Sequence, residues 1–217
     1  MSMIEFRKIR QQFATGRKLI EPLIDITFSI EPGEFVTIQG PSGAGKSTLL
    51  LIAGGLLQPT SGSVVVAETE VTNCSPAQLS RFRSEKIGFV FQMFHLVPYL
   101  NVRDNIRMGQ TTKDNEAVEK MMKRLGIDSR AESFPAMLSA GEQQRTALAR
   151  AMIHQPSVIL ADEPTGNLDP ENAAQVLGLL DEYRKEGGTV LVVSHGTDIR
   201  NYADRVLTLK EGKIVTT

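Results

Sequence analysis

The sequence of 217 residues contains no tryptophan, one cysteine and three histidines. A single cysteine, Cys74, cannot form an internal disulfide, which excludes the small disulfide-stapled class and fits a reducing compartment. Its polar neighbours indicate an incidental thiol in a loop. The few histidines and the single cysteine show no metal-ligand spacing, so we do not expect a protein-bound transition metal.

Neither sign of charge is in excess, because 24 Lys and Arg stand against 25 Asp and Glu. This balance gives no electrostatic case for binding nucleic acid or anionic lipid. Long apolar runs are also lacking: the best, Leu49 to Leu57, contains Gly54 and Gly55 and is shorter than the ~18 residues of a membrane helix. The N-terminus lacks the apolar core of a signal peptide. We therefore expect the chain to stay in the cytoplasm, so that any membrane role would have to come through a partner.

Strand and helix patterns alternate along the chain. Short apolar runs of the type found in buried strands occur at 35–38, 64–66, 157–161 and 189–193. Period-two alternation at 24–30 and a hairpin at 206–215 indicate strands at both ends, which we expect to form an antiparallel layer. Helical patterns occupy 46–53, 118–125 and the stretch after Asp169. The sequence therefore predicts an α/β domain with a mostly parallel sheet and, around 95–155, an inserted helical subdomain.

A glycine-rich loop follows the strand at 35–38. It matches the phosphate-binding pattern G-x-x-x-x-G-K-[ST], in which glycines let backbone N–H groups wrap around phosphate oxygens. The following helix adds its positive N-terminal end. We expect Lys46 to reach the β- and γ-phosphates and the Ser47 hydroxyl to bind Mg²⁺. A glycine-rich turn with an exposed lysine is the alternative, disfavoured by the flanking strand and helix. The predicted nucleotide-binding residues here are Gly40, Pro41, Ser42, Gly43, Ala44, Gly45, Lys46, Ser47 and Thr48.

Two carboxylates, Asp162 and Glu163, end the apolar run 158–161. Parallel strands present their carboxyl ends at the edge where ligands bind, so both side chains should face the glycine-rich loop. Asp162 is then placed to hold the Mg²⁺ sphere, and Glu163 to orient or deprotonate water. Alone, such a strand end is common; beside the loop it predicts a nucleotide hydrolase.

A helix start with Ser139 and, three residues later, Glu142 forms a capping-box pattern. Gly141 close to this start leaves the positive helix end open to a phosphate. Helix capping and phosphate binding are compatible interpretations of the same residues.

With these motifs in this order, the whole sequence resembles the ABC (ATP-binding cassette) ATPases. The resemblance implies that Phe13 stacks on adenine and that Gln92 senses Mg²⁺ and contacts a membrane partner. Residues 138–142 resemble the family signature, which touches the γ-phosphate held by the opposite subunit. Asp169 matches the D-loop, and His195 matches the switch histidine.

The resemblance also implies the fold and the reaction. We expect a P-loop NTPase (RecA-like) core with a mostly parallel sheet, an added antiparallel β layer and an inserted helical subdomain. One ABC ATPase domain would span residues 1–217, with 1–91 and 156–217 as the nucleotide-binding core and 92–155 as the helical subdomain. ATP and Mg²⁺ are the implied cofactors, with hydrolysis to ADP and phosphate. Glu163, His195, Gln92 and Lys46 would be catalytic, and Ser47, Gln92 and Asp162 would hold the metal.

Partners follow from the same resemblance. A second ABC subunit, as a homodimer, would place Ser139 and Gly141 of one chain beside Lys46 of the other. An integral membrane permease on a separate chain is expected, and no nucleic acid. The chain would then lie in the cytoplasm, peripheral on the inner face of the cell membrane.

Residues 161–169 are similar to a group that includes lipoprotein-release, macrolide-export and bacterial cell-division ATPases. Two positions depart from the commonest signature: Ala140 stands for glycine and Glu142 for glutamine. A cell-division-type scaffold ATPase that transports no solute remains an alternative. A soluble repair or translation ABC protein is a further one, weakened by the single cassette and the lack of a basic face.

Overall fold

The computed structural model describes residues 1–16, 18–196 and 198–215. The strands and helices are, in chain order, β1 (Ile4–Thr15), β2 (Lys18–Ile30), β3 (Phe35–Gln39), α1 (Lys46–Ala53), β4 (Ser61–Val66), β5 (Thr69–Glu70), α2 (Pro76–Lys86), β6 (Ile87–Val90), α3 (Val102–Arg107), α4 (Asn115–Arg124), α5 (Ala140–Met152), β7 (Val158–Asp162), α6 (Pro170–Lys185), β8 (Thr189–Ser194), β9 (Arg205–Lys210) and β10 (Lys213–Val215).

The described strands form two sheets. One has the order β10-β9-β3-β8-β7-β6, parallel except for β10 at one edge. The other has the order β2-β1-β4-β5 and is antiparallel. The predicted α/β class, with a mostly parallel sheet and an antiparallel layer, is therefore confirmed.

The expectation that the C-terminal hairpin joins the antiparallel layer is wrong. Strand β9 instead pairs with β3 in the parallel sheet, and β10 extends that sheet. Asp204 explains the placement, because its backbone N–H donates to the Phe35 carbonyl at 2.8 Å and its Oδ2 accepts from the Phe35 N–H at 2.8 Å. This pair of bonds fixes where β9 begins along β3.

Both faces of the parallel sheet are buried because successive side chains point to opposite faces. Val36, Ile38, Leu160 and Leu191 pack on the side of α1 and the antiparallel sheet. On the other side, Phe35, Ile159 and Val190 pack against residues of α3 to α6 such as Leu148 and Leu180. The sheet is thus covered on both sides, and its carboxyl edge is left for the loops that follow β3, β7 and β8.

Among the described residues, no helix combines the length and the apolar character needed to cross a membrane.

Candidate active site

The loop between β3 and α1 holds its lysine inward. Lys46 is 7% exposed, and its Nζ donates to the carbonyl oxygens of Gly40 at 2.8 Å and Pro41 at 3.1 Å. The alternative of a turn with an exposed lysine therefore does not describe this loop. Gly45, the N-cap of α1, has a positive φ of 98°, and no side chain of the described residues caps it. The first N–H groups of α1 are thus left without a side-chain partner, as an anion site requires.

Two loop glycines are required by close approach of the backbone. A Cβ on Gly40 would lie 2.2 Å from the Leu209 carbonyl oxygen, and one on Gly45 would lie 2.5 Å from the Pro22 carbonyl oxygen. The backbone of the hairpin β9–β10 and that of the strand β2 therefore pack closely against the loop. Its shape is thus constrained by two distant parts of the chain, and pattern matching along the sequence does not reveal this constraint.

Asp162, the last residue of β7, lies beside the start of α1. Burial raises the pKa of its carboxyl, and a hydrogen bond with Ser47 and the charge of Lys46 act in the opposite direction. A buried carboxylate with a raised pKa is one that lacks enough positive charge around it. The Asp162 carboxylate, the Ser47 hydroxyl and the Gln92 amide offer oxygen atoms, the ligands that Mg²⁺ prefers. These residues fit the predicted cation.

Glu163 follows Asp162 in a left-handed conformation, with φ of 47°. Its backbone N–H donates to the Val193 carbonyl at 2.9 Å. Its carboxylate Oε1 lies 2.8 Å from Nδ1 of His195, and Oε2 accepts from the Ser194 hydroxyl and the His195 N–H, both at 3.2 Å. The ends of β7 and β8 thereby join Glu163 and His195, two of the four residues predicted to be catalytic. A strained backbone at such a position is typical of functional sites.

These side chains surround one cleft of about 630 Å³. Phe13 lines it and lies opposite Ile20 across the β1–β2 hairpin. Ile20 and Pro22 add apolar surface that the motifs do not indicate. The predicted residues that line the cleft are Phe13, Ser42, Gly43, Gly45, Lys46, Ser47, Thr48, Gln92, Asp162, Glu163 and His195.

Ser139, Gly141 and Asp169 are not among the described residues that line this cleft. Ser139 caps α5, and its Oγ accepts the Glu142 N–H at 3.3 Å. Asp169 caps α6, and Oδ1 accepts the Asn172 N–H at 3.0 Å. The structure thus separates these predicted residues from those around the cleft and places them at the starts of α5 and α6. Gly40, Pro41 and Ala44 belong to the β3–α1 loop but are likewise not among the described lining residues.

Glu142, which stands where the commonest signature has glutamine, carries a negative charge that nearby groups neutralise. Its Oε2 accepts the Ser139 N–H at 2.8 Å, which completes the capping box, and Oε1 accepts from Nε of Arg130 at 2.7 Å. The Ser139 N–H, with help from Arg130, lowers the pKa of the Glu142 carboxyl. Its negative charge is therefore paired and turned toward its own helix start. Arg130 is twelve residues away, so no local pattern points to it.

Comparison with known proteins identifies the family. The ABC transporter family profile matches residues 23–166 of this chain. The chain belongs to the ABC transporter family. Membership implies nucleotide binding and ATP hydrolysis by this ABC cassette.

Relatives of the cassette include ATP-binding/permease proteins and ATP-binding proteins. It is 41% identical over 220 residues to a macrolide export ATP-binding/permease protein, MacB, of Rhodopseudomonas palustris, covering 99% of this chain and 34% of that protein. The chain thus spans about a third of the length of such relatives. An uncharacterized ABC transporter ATP-binding protein, YvrO, of Bacillus subtilis is 36% identical, with 98% and 96% covered.

A solved structure has the same fold. The ATP-binding cassette MJ0796, in a dimeric post-hydrolysis state bound to ADP and Pi, matches with a TM-score of 0.91 and 33% identity. The match covers 98% of this chain and 96% of that one. The predicted P-loop NTPase fold of an ABC ATPase is thereby confirmed.

Proposed function

We propose that this cassette is the Mg²⁺-dependent ATPase subunit of an export-type ABC transporter, working as a homodimer that drives a membrane permease on a separate chain. The observation that carries the proposal is the contact between Glu163 and His195 at the edge of the cleft that also holds Lys46 and Asp162. The names of the relatives, which include macrolide export proteins, support the export type.

Hydrolysis is assigned to the cleft residues. The α1 N-terminus and Lys46 bind the β- and γ-phosphates, and Phe13 stacks on the base. Glu163 accepts a proton from the attacking water, because it is the carboxylate at this edge that His195 orients. Ser47, Asp162 and Gln92 would hold Mg²⁺, which when bound would supply positive charge to neutralise developing charge on the phosphates.

The dimer is assigned to the residues outside the cleft. Ser139 Oγ accepts the Glu142 N–H, and its hydroxyl is a donor that can turn to a phosphate of another subunit. In a two-fold arrangement, the starts of α5 and α6 of each subunit complete the cleft of the other. The dimeric state of the similar cassette MJ0796 supports this assembly.

The membrane partner is assigned to the segment after β6. Met93 and Tyr99 are 70% and 78% exposed, so this short segment presents two large apolar side chains to solvent. The backbone beneath them is held firmly: Arg150 donates to the carbonyls of Phe94 and His95 at 2.9 and 2.7 Å. A rigid backbone that presents apolar side chains suits docking of a partner. The MacB relatives combine an ATP-binding and a permease part in one protein, which supports a permease as that partner and the inner face of the membrane as the place of action.

Capture of the partner tests the transport assignment. The Glu163→Gln cassette, loaded with ATP and Mg²⁺, is used to retrieve proteins from gently solubilised membranes of its own source. We expect a protein with several membrane-spanning segments, whose recovery falls at least about fivefold with Met93→Asp or Tyr99→Asp. The matched control is Val215→Asp, at an exposed apolar residue on β10.

Recovery of soluble proteins or ribosomes alone would contradict the transport assignment and favour a soluble ABC protein. A permease whose recovery is equal for Met93→Asp, Tyr99→Asp and Val215→Asp would contradict the assigned docking segment. A membrane partner that moves no solute in reconstituted vesicles would favour the cell-division type instead.

A further inference from the structure

Asn172, in the first turn of α6, lies between the two parts of the chain that stand outside the cleft. The signature start is defined here as residues 139–142, and the D-loop as residues 166–169. Neither the motifs nor the family resemblance single out Asn172, which is half-buried. Its contacts nevertheless reach both parts.

On the D-loop side, Asn172 holds the Asp169 carboxylate with two bonds. The backbone N–H donates to Oδ1 at 3.0 Å, which is the helix cap, and the side-chain Nδ2 donates to Oδ2 at 2.7 Å. These bonds lower the pKa of Asp169. The second bond is not needed to cap the helix, since the N–H already does so. Its effect is to fix the direction of the carboxylate.

On the other side, the same amide lies against α5. Asn172 Oδ1 accepts from Nη1 of Arg145 at 2.9 Å. A Cβ on Gly141 would lie only 2.0 Å from this oxygen, so the glycine of the signature start leaves the space that Asn172 fills. One side chain therefore touches the signature start, the first turns of α5 and the D-loop.

A second link parallels the first. Gln144, fully buried on α5, donates from Nε2 to the Pro164 carbonyl at 2.7 Å. The start of α5 is thus attached to the segment after β7 near Glu163 and again near Asp169. Two attachments prevent α5 from rotating freely against the D-loop.

We propose that Asn172 is a positioning residue that locks the signature start to the D-loop of its own subunit, so that both meet the partner subunit as one rigid surface. The proposal rests on the dimer of the proposed function. Each subunit presents these parts to the other, so separately mobile parts would have to be ordered when the dimer closes. Locking them in advance removes that entropic penalty from assembly.

The test compares Asn172→Ala with Gln175→Ala, both in the Glu163→Gln background. Gln175 is the matched control because its Oε1 accepts from the same Nη1 of Arg145 at 2.9 Å, on the next turn of α6 from the Asp169 cap. Asn172→Ala keeps the backbone N–H that caps α6. The ATP concentration at which half of the protein is dimeric is measured by light scattering. ADP affinity of the monomer, measured by calorimetry, and the thermal midpoint report on the subunit's own site and fold.

We expect Asn172→Ala to raise the half-maximal ATP concentration roughly tenfold, equivalent to about 1.4 kcal/mol, with ADP affinity and thermal midpoint unchanged. Gln175→Ala should change it less than about twofold. Asn172→Asp, which keeps the shape and the acceptor for Arg145 but loses the donor to Asp169, should also raise it.

Dimerisation of Asn172→Ala or Asn172→Asp at the parent's ATP concentration would overturn the inference. An equal rise in Gln175→Ala would overturn it too, because the Arg145 pairing would then suffice. If the Glu163→Gln parent itself does not dimerise with ATP, the proposed function fails rather than the role of Asn172 within a working dimer.

Discussion

Oε1 of Glu163 lies 2.8 Å from Nδ1 of His195, although the two side chains differ in exposure, 13% against 67%. The carboxylate is fixed from behind by the Ser194 hydroxyl and the His195 N–H. His195 is thus the exposed member of the Glu163–His195 pair. This arrangement makes the imidazole an orienting group for the carboxylate.

Replacement of His195 by alanine should therefore lower kcat strongly and change KM for ATP only slightly. We expect kcat to fall about 10- to 100-fold, since Glu163 loses its orienting contact, while KM for ATP changes less than about threefold. Steady-state phosphate release measures both. His95→Ala, at an exposed histidine outside the cleft, is the control and should keep the parent's kcat. An unchanged kcat in His195→Ala would contradict the assigned role.

The raised pKa of Asp162 predicts a pH-dependent metal affinity. A raised pKa means that this carboxyl takes up a proton at a higher pH than an ordinary aspartic acid, and the protonated form is a poor Mg²⁺ ligand. The gain in ADP affinity that Mg²⁺ gives should therefore shrink as the pH falls toward this pKa, and be full above it.

Calorimetry of the wild type and Asp162→Asn from neutral to acidic pH checks this expectation, because titration of the nucleotide itself is common to both proteins. The wild-type gain should fall more steeply with decreasing pH. Parallel curves for the two proteins would show that Asp162 does not govern the metal.

The pair formed by Arg130 and Glu142 predicts a conditional effect. In the Glu163→Gln background, Arg130→Ala should raise the half-maximal ATP concentration for dimerisation about threefold, because it leaves the Glu142 charge unpaired near the partner's phosphate. Glu142→Gln should be nearly neutral, since glutamine also completes a capping box. Arg130→Ala should then have little effect in the presence of Glu142→Gln, and light scattering of the four proteins gives the coupling. Equal effects in both backgrounds would contradict charge balance as the role of Arg130.

Arg150 predicts a stability effect outside the site. It holds the carbonyls of Phe94 and His95, which both have φ of 49°, a region that costs non-glycine residues about 1–3 kcal/mol each. Arg150→Met should lower the free energy of unfolding in urea by about 1.5–3 kcal/mol, the value of hydrogen bonds from a charged group. The control, Arg81→Met, removes a surface arginine paired with Glu85 and should change it by less than about 0.5 kcal/mol. Equal losses would contradict the bracing role.

The features that the sequence predicts well depend on local spacing. The glycine-rich loop, the helix after it and the buried strands are set by neighbouring residues, and the structure has each of them. Strand β1 does not show a regular period-two alternation of apolar residues. Register shifts interrupt the strand between Phe6 and Ile9 and between Ile9 and Gln11. Helix α2 shows no apolar helical period, because Phe82 is the residue that it buries. The capping box at Ser75 is the sequence signal for this helix instead.

The features that the sequence does not predict depend on contacts between distant residues. Arg150 contacts residues 55 and 56 positions away, and Asn172 contacts Arg145 across 27 positions. The sheet that receives the C-terminal hairpin is likewise fixed by Asp204 and Phe35, which are 169 positions apart. Such pairs follow from the packed topology and leave no periodic pattern in the chain.

The most direct test of the account is the Glu163→Gln cassette with ATP and Mg²⁺, examined by size-exclusion chromatography with light scattering alongside an ATPase assay. Loss of the base should lower the hydrolysis rate at least about 100-fold and leave ATP trapped between two subunits, so the molar mass should double. The control is Glu116→Gln, at an exposed glutamate of α4 that lines neither the cleft nor the starts of α5 and α6, which should hydrolyse ATP at the parent rate. A Glu163→Gln protein that stays monomeric with ATP and hydrolyses it at the parent rate would contradict the central claim.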